Sequence, residues 1–210
     1  MISLPRFYPI LDTAVAARKG AGPVDAARVL LDGGVRILQI RHKEFLSRET
    51  LEAIERISQF CRDAGALLVI NDRADIARMM GAALHLGQDD LPPSAARKIT
   101  GPDLAIGFST HNEQQLRAAA AEPVDYLALG PIFGTATKEN PDPTVGLDEL
   151  RRLRALTARP LVAIGGITRA NARAVLDAGA DSVAVIGDLF ADEGNLQARI
   201  AEWLSVTARS

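Results

Sequence analysis

The stretch QIRHK, Gln39 to Lys43, places an amide and two cations on alternate residues at the end of an apolar run, ILQI. In an extended chain successive side chains take opposite faces, so Gln39, Arg41 and Lys43 share one face and Ile40 and His42 the other. Such a face suits phosphoryl oxygens, with Arg41 offering a planar fork and Lys43 a compact charge. Acids close two later runs, Asp72 in LLVIND and Asp90 after LHLGQD. Beside a diphosphate they would repel the ligand unless a hard cation lay between them. Mg2+ is typically held by one or two carboxylates plus substrate phosphates, so the acids imply that metal. A plain ion pair of Arg41 with Asp72 across neighbouring strands explains that single pair equally well, but not the whole set.

A second anion site is suggested by IGGIT, residues 164–168. Paired glycines let backbone approach a ligand closely, and Thr168 is placed to cap a following helix whose first amides attract phosphate. VIGD, with Gly187, offers a matching turn. Taken alone, each is an ordinary turn between a strand and a helix.

These residues need elements to position them. Eight short apolar runs recur: FYPILD (7–12), RILQIR (36–41), LLVIND (67–72), ALHLG (83–87), LAIGFS (104–109), YLALGP (126–131), LVAIGG (161–166) and SVAVIG (182–187). Helical spacing fills the intervals in DAARVLLDGG, RETLEAIERISQFCRDAG, SAARKI, EQQLRAAAA, LDELRRLRAL and TRANARAVLDAGA, while NDRADIARMMGA leaves room for only a compact third helix. Alternation of this kind implies parallel strands, since each return needs a crossover. Eight units close into a single-domain (β/α)8 TIM barrel, and LDTAVAARKGAG after the first run lacks the glycine fingerprint of an open dinucleotide-binding sheet. In such barrels chemistry sits at the carboxyl ends of the strands, where Gln39, Arg41, Lys43, Asn71, Asp72, Asp89, Asp90, Ser109, His111, Thr135, Thr137, Lys138 and the glycines fall. GTATKENPDPTVG, residues 134–146, is too long for a minimal turn and reads as a functional loop.

Composition narrows the partners. The 210 residues are 48% hydrophobic and carry a formal charge of -2, which provides a core but no global positive field for nucleic acid or an anionic membrane. The expected partners are small phosphorylated molecules, held by local charge. One cysteine, Cys61, excludes an internal disulfide and points to a reducing cytoplasm. The first residues read as neither a signal peptide nor a membrane span. The C-terminal AEWLSV segment, with Trp203, has two uses, packing on the barrel, which we favour, and self-association into a homo-oligomer.

In order along the chain, QIRHK, INDR, LHLGQDDLP, GFSTH, GPIFGTATK, AIGGI and VAVIG resemble the thiamine phosphate synthase family. The resemblance implies a β/α barrel that joins an aminopyrimidine methyl diphosphate to a thiazole phosphate, with Mg2+ as cofactor and pyrophosphate as product. Carried over by motif, Gln39, Ile40, Arg41, His42, Lys43, Asn71, Ser109 and Lys138 resemble the pyrimidine diphosphate ligands. Arg41, Lys43, Lys138 and Ser109 are implied in catalysis. Asp72 and Asp90 resemble the metal ligands, and Thr135, Ala136, Thr137, Gly166, Ile186 and Gly187 the thiazole phosphate site. The chain departs from the pattern in a segment one residue shorter before GQDD, in Gly134 where proline is common, and in Gly187 where serine is usual.

Two rival functions remain at this level. Thiazole tautomerases resemble these synthases and use a histidine for proton transfer, for which His111 stands two residues after Ser109, but they need no diphosphate-binding set. A non-enzymatic phosphate-binding barrel would bind both ligands without releasing pyrophosphate. His42 is expected to pack or be solvated on the face opposite Arg41, and His85 to be a structural polar residue near the mouth.

Overall fold

The computed structural model describes residues 2–135, 142–191 and 195–209. Its strands are β1 (Phe7–Asp12), β2 (Ile37–Arg41), β3 (Leu67–Asn71), β4 (Ala83–Leu86), β5 (Ile106–Thr110), β6 (Tyr126–Leu129), β7 (Leu161–Ile164) and β8 (Ser182–Val185). Each pairs in parallel with its neighbours, and β8 closes on β1, so the eight apolar runs form the expected barrel. Buried on both faces, the strands need no polar alternation until their carboxyl ends.

Two apolar layers result from the period of two. Tyr8, Ile10, Ile37, Val69, Ala83, Tyr126, Ala128, Val162 and Ala184 fill the barrel, while Leu11, Leu38, Ile40, Leu84 and Leu127 face the surrounding helices. The interior mixes two tyrosines with small residues. Gly107 is the extreme case, because a Cβ there would lie 2.0 Å from the Tyr126 ring.

The helices follow their caps and stripes. After β1 come α1 (Thr13–Arg18), which was not evident from the sequence pattern, and α2 (Pro23–Asp32), with proline in its first turn. The long α3 (Arg48–Asp63) starts at Ser47, whose hydroxyl accepts the Thr50 N–H at 3.1 Å, and buries Ile54, Ile57, Ser58 and Cys61 at helical spacing. The compact third crossover is α4 (Ala74–Met80). Then follow α5 (Pro93–Thr100), α6 (Glu113–Ala119), α7 (Gly146–Arg154), α8 (Ala172–Asp177) and α9 (Leu196–Thr207).

Trp203 of α9 is fully buried and stacks on Phe7, with ring centroids 5.1 Å apart, so this helix packs on the barrel. Cys61 is buried, which pushes its thiol up to about 11 and leaves it a small apolar residue rather than a reactive one. Among the described residues no helix is long and apolar enough to cross a membrane.

Candidate active site

The carboxyl ends of β1 to β4 lead to Asp12, Arg41, Lys43, Asp72 and Asp90. In the β1–β2 register Asp12 lies beside Arg41, and the guanidinium pairs with the Asp12 carboxylate, which is nearly buried. Asp12 also accepts the Val15 N–H at 2.9 Å, so one carboxylate caps α1 and orients Arg41. Lys43 pairs with Asp72. The Arg41–Asp72 pair considered from sequence is therefore replaced by two separate pairs, because the register sets Asp12, and not Asp72, opposite Arg41.

Asp72 stands directly after β3 in left-handed backbone, φ 63°, the sole non-glycine residue so placed among those described. Aspartate takes up that φ more readily than most side chains do. Its carboxyl neighbours that of Asp90. Burial first, and then the Asp90 carboxyl, push Asp72 up to about 6, with Lys43 pulling the other way. Burial also opposes the charge of Asp90, yet the neighbouring Asp72 carboxyl, the Gly87 N–H at 2.7 Å and Lys43 hold it below the usual carboxylate range. Two carboxyls in contact disfavour each other's charge, so Asp72 takes up a proton more readily than an isolated acid does.

A cation between them would relieve that repulsion. Among the described residues no cluster of three or more His, Cys, Asp or Glu side chains forms, so a closed protein cage is absent there. Two carboxylates with an open side are nevertheless the donor set that Mg2+ takes when substrate phosphates complete its shell. Next to them Asn71 is buried, and its Nδ2 has no partner. An orphaned donor of this kind costs about 1–3 kcal/mol, which a ligand acceptor would recover.

Deeper in the barrel lies a group whose arrangement was not legible from spacing. Gln39 Nε2 donates to the Tyr8 hydroxyl at 2.9 Å, the hydroxyls of Tyr8 and Tyr126 are 2.9 Å apart, and His85 Nδ1 lies 3.0 Å from Tyr126. His85 Nε2 then meets Ser109 Oγ at 2.9 Å. Burial pulls the His85 imidazole down to about 4, so it is neutral at ordinary pH. Ser109 is thus held from below. His85, expected near the mouth, lies inside.

On the opposite side of QIRHK, Ile40 packs among the helix-facing core, and His42 bonds Thr13 Oγ1 at 2.8 Å and the Phe45 carbonyl at 3.2 Å. Their side chains leave the mouth, as alternation requires. His111 sits on the rim, with Nδ1 2.6 Å from the Gly130 carbonyl and 3.6 Å from Asp142.

The ends of β6 to β8 offer backbone instead. Phe133 N–H donates to the Gly165 carbonyl at 3.0 Å, drawing the segment after β6 against the segment after β7. Gly166 has φ 63°, and a Cβ there would lie 2.5 Å from the Gly134 carbonyl oxygen. Thr135 is half-buried at the edge of this cradle. Ala136, Thr137 and Lys138 lie outside the described residues.

Thr168 does not cap the next helix. Instead Asn171 accepts the Thr168 N–H at 2.8 Å and donates to the Gly166 carbonyl at 3.1 Å, clamping the glycine turn, and α8 starts only at Ala172. Ile186 and Gly187 lead into a short 3-10 helix, Gly187–Phe190, whose Asp188 receives Arg169 Nε and Trp203 Nε1, each at 2.9 Å. The β8 turn is thereby tied to the preceding loop and to α9. Asp12, Tyr8, Tyr126, Asn171 and Asp188 had not been singled out from sequence.

The chain is similar to known proteins. A family model described as thiamine monophosphate synthase matches residues 7–189. A thiamine-phosphate synthase of Koribacter versatilis is 48% identical over 98% of this chain and 97% of its own length. That of Methanoculleus marisnigri is 42% identical over 92% and 94%. Among solved structures, a thiamine phosphate pyrophosphorylase from Pyrococcus furiosus superposes with a TM-score of 0.84 at 32% identity, covering 96% of this chain and 95% of that one.

Proposed function

This chain belongs to the thiamine monophosphate synthase family, and from that we propose that it joins an aminopyrimidine methyl diphosphate to a thiazole phosphate, forming thiamine phosphate and releasing pyrophosphate. The observation that carries the reading to particular residues is the meeting of Lys43, Asp72 and Asp90 beside the orphaned Asn71 amide. Cations, acids and an unspent donor on one rim suit a diphosphate with a divalent ion.

In this reading Arg41, Lys43 and Lys138 stabilise the charge that grows on the leaving oxygens as the carbon–oxygen bond breaks. Asp72 and Asp90 would hold Mg2+, which supplies Lewis-acid stabilisation to the diphosphate. Gln39 and Ser109 orient the pyrimidine, Asn71 donates to the diphosphate, and the contributions of Ile40 and His42 come through their backbone. The methylene cation left behind is captured by the lone pair of the thiazole nitrogen, so no protein nucleophile is needed. Thr135, Ala136, Thr137, Gly166, Ile186 and Gly187 hold the thiazole phosphate, which does not react. The cytoplasm is the compartment we propose, with small phosphorylated molecules as partners.

The test is a coupled assay of pyrophosphate release with both substrates, with and without Mg2+. Product formed only when all three are present is the expected result. Tight binding of both substrates without pyrophosphate would favour a binding barrel, and proton exchange on a thiazole without any diphosphate would favour a tautomerase using His111.

A further inference from the structure

The chain of hydrogen bonds inside the barrel has a direction. Gln39 Nε2 donates to the Tyr8 oxygen, so the Tyr8 proton must go to Tyr126, and the Tyr126 proton to His85 Nδ1. The imidazole proton is then on Nε2, which faces Ser109 Oγ at 2.9 Å. Reversing the middle bonds while Gln39 still donates would give Tyr8 two incoming protons and leave its own without an acceptor, in a side chain 1% exposed. Only one direction uses every proton.

The end of the chain is the hydroxyl of Ser109, whose oxygen receives the His85 proton and whose single proton remains unspent. We propose that His85 is a positioning residue that fixes Ser109 as a hydrogen-bond donor toward the bound ring, so that the site selects a heteroaromatic ring presenting a lone-pair nitrogen at that edge. This rests on the assignment of Ser109 to the pyrimidine. The fold reserves space for the chain independently of any ligand: a Cβ on Gly107 would lie 2.0 Å from Tyr126 Cζ and 2.4 Å from its hydroxyl. Five strands contribute one member each, Tyr8 from β1, Gln39 from β2, His85 from β4, Ser109 from β5 and Tyr126 from β6. A ring nitrogen that carried a proton would meet a second donor and be rejected, because a misplaced polar group in a closed site goes unpaired.

Two measurements on the full chain test this. The first is a long-range proton–nitrogen spectrum of protein labelled with 15N-histidine, in which His85 is assigned by its loss in His85→Gln. The expected signature is a neutral ring protonated on Nε2. The second is steady-state kinetics, with Mg2+ and saturating thiazole phosphate, of Tyr126→Phe, Ser109→Ala and the double variant. Tyr126→Phe should raise the pyrimidine KM about tenfold, the scale of one neutral hydrogen bond. In the Ser109→Ala background the same change should add nothing, whereas a merely structural tyrosine would add its full effect. His85→Gln, whose amide nitrogen can replace Nε2, should retain more activity than His85→Leu. A proton on Nδ1, or additive effects in the double variant, overturns the inference and leaves the pyrimidine assignment standing. An unchanged KM in Ser109→Ala overturns both.

Discussion

The two halves of the barrel mouth are built from different materials. From β1 to β5 the strand ends project side chains: Arg41 against Asp12, Lys43 against Asp72, and Asp72 against Asp90. From β6 to β8 the turns bring backbone close together, with no room for a side chain at Gly130, Gly165 or Gly166. A Cβ on Gly130 would lie 2.2 Å from the Ile164 carbonyl oxygen, and one on Gly165 2.5 Å from Pro131 Cβ. On the proposed function the difference follows from the chemistry. A departing diphosphate gains charge in the transition state, and mobile cations with a metal respond to it. A spectator phosphate keeps its charge, so fixed amides suffice.

Removing charge should therefore damage one half and leave the other intact. Lys43→Ala should lower kcat about 10²–10³-fold, the loss typical of one transition-state donor, with little change in Tm because Lys43 is half-exposed. Arg41→Ala should cost as much activity and also roughly 2 kcal/mol of stability, since Asp12 is left buried without its partner. Comparable pyrophosphate release from both variants and the parent enzyme would show that the charged half is not where the diphosphate leaves.

The backbone half should respond to volume rather than charge. Gly166→Ala combines a left-handed φ with a Cβ 2.5 Å from the Gly134 oxygen, so the segment after β6 must move. The expected result is a thiazole phosphate KM raised about 10²-fold, the scale of a misplacement near 1 Å, with the pyrimidine KM nearly unchanged. Equal rises in both KM values would mean that the two halves are one mechanical unit.

The charged half should also respond to pH. Asp72 is raised from 3.8 to about 6, so this group favours the metal-free fold at low pH, and that contribution is lost as pH rises through about 6. Mg2+ competes with the proton that Asp72 takes up below about 6. Its affinity, measured by calorimetry without substrate, should fall by up to about tenfold per pH unit below 6 and level off above it. A flat Mg2+ profile from pH 5 to 8 would remove Asp72 from the metal site.

The same contrast decides what could be read from sequence. QIRHK and the strand-end acids were legible because a charge that closes an apolar strand has one plausible place in a parallel barrel, its carboxyl end. The eight strands and most helices followed from periodicity for the same reason. Asp12 was missed because its partnership with Arg41 is a matter of register, which periodicity does not specify. Tyr8 and Tyr126, 118 residues apart, meet only because the barrel closes and both point inward at one height. In TRAN the error was local. Thr168 and Asn171 are both good caps by type, but Asn171 holds the N-cap position without a side-chain cap bond, because its amide is spent on the Thr168 N–H and the Gly166 carbonyl.

The smallest effect expected separates interior packing from mouth geometry. Gly107 and Gly134 both lack a left-handed φ, so alanine at either has no conformational penalty of that kind. They differ in surroundings: Gly107 faces the Tyr126 ring, while nothing lies within 4 Å of a Cβ on Gly134. Gly107→Ala should overpack the barrel and cost about 1–3 kcal/mol, lowering Tm by roughly 2–4 °C for each of those kcal/mol. Gly134→Ala should leave Tm unchanged. Because the Tyr126 ring must yield in Gly107→Ala, its hydroxyl leaves His85, and the pyrimidine KM should rise along with the loss of stability while the thiazole KM holds. Should Gly107→Ala melt with the parent protein, Tyr126 is not pressed against β5, and the interior would lack the rigidity that lets the side-chain half aim its donors.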